Sequence, residues 1–355
     1  MGKTFSRIMV SISFFLFSFL LVFLANVAPD FFFSFYPDFC RKVHMALSNI
    51  VSVVPFSLWE IGLGLGILLE IIYFARCFGK GRLLRFAATQ VLVFSIGLFL
   101  FLSLYGLNYY GPTISEKMEL PEKSYSVQEL QKATVYYRNK AQQAAREVDR
   151  DENGFLLPEE FSVLAKEAGT SFVPLAKDYE CFEGSKAPVK RLLTSPLLAK
   201  TGTTGLFVCF TGESGVSTQC YEIQKPHTMC HEVAHRLGFA REDEANFAAF
   251  LACCKSDRAD FRYSGYSHAF INCYNALYAA DPESARKVWN GCSEQLRKDL
   301  LRANDHYAAL RNETVEKISD AVYDGYLKSF SVAEGNQSYS KVADLLLIWY
   351  FEEIL

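Results

Sequence analysis

The segment His227-Thr-Met-Cys-His231-Glu232-Val-Ala-His235 brackets a glutamate with two histidines four positions apart. On a helix, positions i and i+4 share one face, so both imidazoles can hold a single divalent ion. Glu232, one position along, can take a proton from a water that the ion has made acidic. The spacing therefore supplies both a metal holder and a general base. A catalytic zinc site needs a third protein ligand and one open position. Gly238 can end the helix three residues after His235, and Arg241-Glu-Asp-Glu-Ala-Asn246 opens another. Glu242 and Glu244 both qualify as the third ligand. Two positions apart on a helix they point in nearly opposite directions, so only one can serve. Cys230 lies about 100° round the helix from His231 and makes a poor extra ligand.

A second constellation has oxygen chemistry. From Asp149 to Glu160 the chain matches the twelve-position calcium loop of an EF-hand, with Asp149, Asp151 and Asn153 at positions 1, 3 and 5. Gly154 stands at position 6, Leu156 at position 8 and Glu160 at position 12. Such a loop would take Ca2+, although Asp-Glu-Asn-Gly is also an ordinary turn and EF-hands usually pair. For a developing oxyanion, Tyr339 and His306 are the candidate stabilisers. His44, His227 and His268 show no partner pattern.

These residues need elements to position them. The pattern predicts helices over about 126–148, 158–168, 227–237, 242–255, 265–280, 283–310, 312–329 and 339–354. Residues 205–211 and 217–223 read as two strands around a Gly-Glu-Ser-Gly turn. The first of them, as an edge strand, would pair with an extended peptide. The apolar run at 345–350 is too short to cross a bilayer and should pack on the folded domain.

A composition that is 50% hydrophobic with 31 Phe calls for membrane segments. Three apolar runs, about 8–28, 54–75 and 84–107, each suit a bilayer-crossing helix. Arg76, Lys80, Arg82 and Arg85 follow the second run and Lys3 and Arg7 precede the first, whereas the first loop holds only Arg41 and Lys42. The positive-inside rule puts the N-terminus and second loop in the cytoplasm and everything after about residue 109 outside. Gly62 and Gly66 have GxxxG spacing, read as packing among the three spans. Glu60 and Glu70 sit near opposite ends of the second span. Eight of the ten cysteines fall in the exported part, where Cys209 and Cys220 flank the expected hairpin and are the first pair to test for a disulfide. A net charge of −3 and the lack of a basic, aromatic-interleaved stripe exclude nucleic acid as a partner.

The histidine block followed by Glu242-Asp-Glu-Ala245-Asn246 resembles gluzincin-type metallopeptidases, especially membrane-bound ones with E-x-x-A-D on a later helix. The resemblance implies Glu242 as the third ligand. Asn246 replaces the Asp and would accept a hydrogen bond from a ligand imidazole without a carboxylate's charge. The interval from His235 to Glu242 is shorter than in most such peptidases. A closer resemblance covers most of the chain. The three spans, Phe210-Thr-Gly-Glu213, the block from His231 to Asn246, Ser338-Tyr339 and residues 342–347 are similar to an uncharacterised family of bacterial multi-pass membrane proteins.

The expected architecture is mainly α with a small β-sheet: a membrane domain (1–107), a linker and helical region with the EF-hand-like loop (108–200) and a zincin-like domain (201–355). The expected function is a zinc-dependent peptidase in the bacterial cell membrane, working on a peptide or protein substrate on the extracytoplasmic face. The alternatives are a membrane-anchored binding or scaffold protein with structural zinc, and a calcium-dependent surface module.

Overall fold

The computed structural model describes residues 2–80, 82–329 and 339–354. It is mainly helical with one three-stranded sheet. Three helices are long and apolar enough to cross a membrane, and they mark the chain as a membrane protein: α1 (Gly2–Val27), α3 (Leu58–Phe78) and α4 (Leu83–Leu104). Between the first two lies α2 (Tyr36–Val51), which the apolar runs do not announce. Its buried residues Tyr36, Cys40, Arg41, His44 and Ser48 recur at helical spacing, while Phe39, Met45 and Ile50 stay exposed.

The second span starts later than its apolar run because a capping set fixes it. The Ser57 side chain accepts a hydrogen bond from Glu60 N at 3.3 Å. The Glu213 carboxylate accepts from Leu58 N and Trp59 N, both at 2.8 Å. Amides that every helix start leaves unpaired are thereby satisfied from a distant strand. Glu213 is itself buried and lies 3.3 Å from the buried Lys190 Nζ. One residue further along α3, Glu60 accepts hydrogen bonds from Leu193 N at 2.6 Å and Thr194 N at 2.9 Å. Glu70 accepts from Gln90 of α4 at 2.8 Å.

The sheet runs β1 (Lys190–Leu192), β3 (Glu213–Ser217), β2 (Gly205–Val208), with β1 parallel and β2 antiparallel to the central strand. The expected second strand at 217–223 is therefore misplaced. Three residues read as its turn, Glu213, Ser214 and Gly215, form the central strand, and the reversal falls at Gly212, whose φ is +68°. Gly215 is there for proximity, since a Cβ on it would meet Leu192 Cδ2 at 2.4 Å.

Helices α5 (Val127–Ala144) and α6 (Phe161–Thr170) precede the sheet, and α5 opens on a capping box made by Ser126 and Glu129. After it come α7 (Lys225–Arg236), α8 (Glu242–Lys255) and α9 (Ala259–Ala280), the last packed along α5. The single helix expected over 283–310 is two, α10 (Pro282–Asn290) and α11 (Glu294–Leu310). Gly291 makes the break because Arg138 Nη1 lies 2.3 Å from where its Cβ would be, and Ser293 caps the second helix through Leu296 N at 3.3 Å. Two further helices follow, α12 (Glu313–Ser329) and α13 (Tyr339–Trp349). The run at 345–350 packs on the domain as expected, with Leu346 fully buried and its carbonyl accepting from Tyr137 Oη at 2.7 Å.

All ten cysteines are free thiols, so Cys209 and Cys220, the first pair to test for a disulfide, are not bridged. Cys209 packs with Tyr105, Tyr109 and Ala240, while Cys220 Sγ faces Thr228 Oγ1 at 3.6 Å. Nor do Gly62 and Gly66 pack among the three spans: a Cβ on either would meet nothing within 4 Å.

Removing Glu213 strands a buried ammonium and two helix-start amides. Glu213→Ala should cost about 3–5 kcal/mol, read as a lowered Tm of the detergent-solubilised protein. Lys190→Met combined with Glu213→Gln should recover part of the loss, because the amide still accepts from Leu58 N and Trp59 N.

Candidate metal centre

Helix α7 begins with Pro226 in its first turn and carries His227, His231 and His235 at four-residue spacing. It stops where Gly238 takes φ +98°, with Gly238 N donating to His235 O at 3.0 Å and Phe239 N to Ala234 O at 3.2 Å. The chain reverses there, so Glu242, the first residue of α8, comes back over His231 and His235.

His231 Nε2 and His235 Nε2 lie 3.0 Å apart. Glu242 Oε2 is 3.1 Å from His231 Nε2, and Oε1 is 3.5 Å from His235 Nε2. Tetrahedral zinc with ligand bonds of about 2.0–2.1 Å sets neighbouring ligand atoms about 3.3 Å apart. The observed triangle fits that edge length. Among the described residues it is the one group of three His, Cys, Asp or Glu side chains gathered closely enough to hold a metal ion.

The imidazole orientations suit this use. His235 Nδ1 lies 2.7 Å from Phe239 O, a carbonyl that can only accept, so Nδ1 carries a hydrogen and Nε2 is the nitrogen turned to the triad. Tyr105 Oη stands 3.1 Å from the same Nδ1. His231 Nδ1 is buried with no hydrogen-bond partner. Burial alone would lower the His235 pKa, but the Glu242 carboxylate outweighs it and lifts the group to about 9. Against its own burial, Glu242 is held well below the usual carboxylate range by the two histidines. The site thus favours positive charge at its centre, supplied by a proton or by a metal ion.

Glu232 is 5% exposed, and burial pushes its carboxyl up to about 7. It lies against the edge strand, where a Cβ on Gly205 would come within 2.3 Å of Glu232 Oε1. Ser214 Oγ of β3 donates to Glu232 O at 2.7 Å and ties helix to sheet. The triad, Glu232 and strand residues Gly205, Leu206 and Phe207 line one cavity of about 860 Å³.

Glu244 points away, taking Arg241 Nη1 at 2.7 Å and Ile114 N at 3.2 Å. That separates the two acids and leaves Glu242 as the gathered one. Asn246 lines the cavity, but the contact it makes is by its backbone: Asn246 O lies 3.2 Å from His227 Nε2. His306 is elsewhere, its Nε2 2.8 Å from Gln219 O and its ring against Tyr221. The side chain of Tyr339 lies outside the described residues. In the EF-hand-like loop, Asp151 Oδ1 is taken by Asn153 N at 2.9 Å and Phe155 N at 2.8 Å, with Gly154 at φ +74°. Asp149, Asp151 and Glu160 are not gathered, and Glu160 ends up at the start of α6. Here the Asp151 carboxylate serves the turn's own backbone.

Several cavity residues escape sequence reasoning. Tyr323 of α12 donates its hydroxyl to Glu242 Oε1. Tyr105 and Tyr109 come from the segment just after α4. His227 and His268 stack with ring centroids 3.6 Å apart, and burial lowers both, His268 to about 3. Only the i, i+4 spacing of His227 and His231 hints at any of these.

The triad makes a clear prediction for the purified full-length chain: about one zinc per chain in wild type and Glu244→Ala, and none in His235→Ala or Glu242→Ala. Elemental analysis after dialysis reads the result.

A family model matches residues 35–347, and its description is "Protein of unknown function (DUF3810)". No curated protein and no solved structure matches the chain.

Proposed function

We propose that this chain, which belongs to the DUF3810 family, is a membrane-anchored zinc-dependent peptidase. One observation carries the reading: three ligand atoms converge at zinc-like separations with a buried carboxylate, Glu232, one helix position from the first of them. His231, His235 and Glu242 hold the ion. When bound, it supplies Lewis acidity to a water and a substrate carbonyl. Glu232 takes the proton from the attacking water and passes it to the leaving amine. A polypeptide lying against the edge strand β2 would offer its backbone to that strand, beside Gly205, where the lack of a side chain brings it close to Glu232.

A closed, four-ligand site would instead favour structural zinc. Three protein groups are gathered among the described residues, and the adjoining cavity leaves one side free for substrate. The catalytic reading is therefore preferred over the scaffold. Basic residues at Arg76, Lys80, Arg82 and Arg85 support a cytoplasmic α3–α4 loop, with the metal centre on the opposite, extracytoplasmic face.

Glu232→Gln should keep the zinc and lose at least about a thousandfold in kcat/KM on a mixed peptide library. A variant that keeps full activity would remove the assignment. The base must be deprotonated, so activity should fall as the medium is acidified. Burial, partly offset by the two histidines, places Glu232 at about 7, and a nearby dication favours the carboxylate. The acid limb of the pH profile should accordingly lie below that value.

A further inference from the structure

The three apolar helices do not form a closed bundle. α1 and α4 pack along their length, with Phe14 and Phe17 against Phe99 at 5.5 and 6.2 Å and Phe15 against Phe94 at 6.3 Å. α3 meets α4 only from Glu70 onward, through Glu70–Gln90 at 2.8 Å, Tyr73–Thr89 at 2.9 Å and Phe74–Phe86 at 5.2 Å. Between its capped start and Glu70 it has no packing partner among the described residues. Leu63, Leu65 and Ile67 are 47–57% exposed, and a Cβ on Gly62, Gly64 or Gly66 would touch nothing within 4 Å.

The outer ends are held apart by α2. Its first residues lie at the top of α4, where Tyr36 Oη donates to Leu102 O at 2.5 Å and Cys40 Sγ sits 3.6 Å from Ser103 O. Its last residue, Val51, lies at the top of α3, where Val51 O accepts from Lys190 Nζ beside the Glu213 cap. From Cys40, still against α4, to Val51 the helix rises about 16 Å. Packed helices sit about 8–10 Å apart. The gap therefore has room for one further helix in contact with both walls.

The metal centre stands over this wedge. Tyr105, the residue after α4, contacts His235, and Phe207 of the edge strand packs on Tyr105 at 5.3 Å. Phe210, in the turn after that strand, stacks on Trp59 at the top of α3 at 5.5 Å. Strand β2 thus leads from the mouth of the wedge to Glu232. We propose that the wedge between α3 and α4 receives the transmembrane segment of the substrate, which is then cut just outside the bilayer. The substrate class is a single-span membrane protein, an inference that rests on the peptidase reading.

The test uses the full-length chain in lipid nanodiscs and two synthetic probes. One is a 15-residue mixed-sequence tail attached to a Leu/Ala helix of about 20 residues, long enough to span; the other is the tail alone. A photo-cross-linking residue replaces Gly66 in α3, or Leu16 on the exposed face of α1 as control, in the Glu232→Gln background. The spanning probe should label Gly66 at least about tenfold more than Leu16. Wild type should cut the tail at least about tenfold faster when it carries the span, and Gly66→Phe should erase that advantage. Equal labelling at the two positions, or labelling of Gly66 by lipid or by a second copy of the chain alone, overturns the proposal. So does equal cutting of both probes, which leaves the peptidase reading intact. Labelling at Gly66 with neither probe cut removes the peptidase reading and keeps the wedge as a helix-docking site.

Discussion

Two imidazole nitrogens and a carboxylate crowded together inside a protein stay together only with a proton or a metal ion among them. His231, His235 and Glu242 are held in that arrangement at 3.0–3.5 Å, and much of the surrounding structure keeps it so. The left-handed turn at Gly238 returns α8 over α7. The Phe239 carbonyl fixes the His235 tautomer, and the Tyr323 hydroxyl holds one oxygen of Glu242. Each constraint removes a freedom that the side chains would otherwise use to separate.

The triad was legible in the sequence because its parts are local. Two histidines share a face by helical periodicity alone, and Gly238 signals the reversal that brings Glu242 near. The choice of Glu242 over Glu244 was not fixed by spacing, since it depends on Arg241 and Ile114 taking the second acid. Tyr105 and Tyr323 join the site from elements far along the chain, and no local pattern marks them. The central strand failed for a related reason. Gly212-Glu-Ser-Gly215 has the composition of a turn, yet Glu213 is stabilised in a buried strand by Lys190 and by the first amides of α3. The loop from Asp149 to Glu160 shows the converse, a ligand-like pattern in which Asp151 Oδ1 accepts from the turn's own amides.

Segmentation read from hydropathy places a boundary at residue 107, where apolar sequence ends. Packing crosses that line freely. Tyr105 and Tyr109 fall on either side of it and both line the cavity. Glu60 and Glu213 stitch the start of α3 to the sheet from opposite directions. The apolar helices are thus part of the scaffold of the triad and its cavity.

Because Tyr105 follows α4 directly and contacts His235 of the triad, the length of that helix acts as a ruler. One residue inserted into α4 would raise Tyr105 by about 1.5 Å and swing it by about 100°, taking its hydroxyl away from His235. Single-residue insertions and deletions are therefore closed to this helix as a way of matching a thicker or thinner bilayer. Adaptation to another membrane must come from tilt, or from deforming the lipid around it.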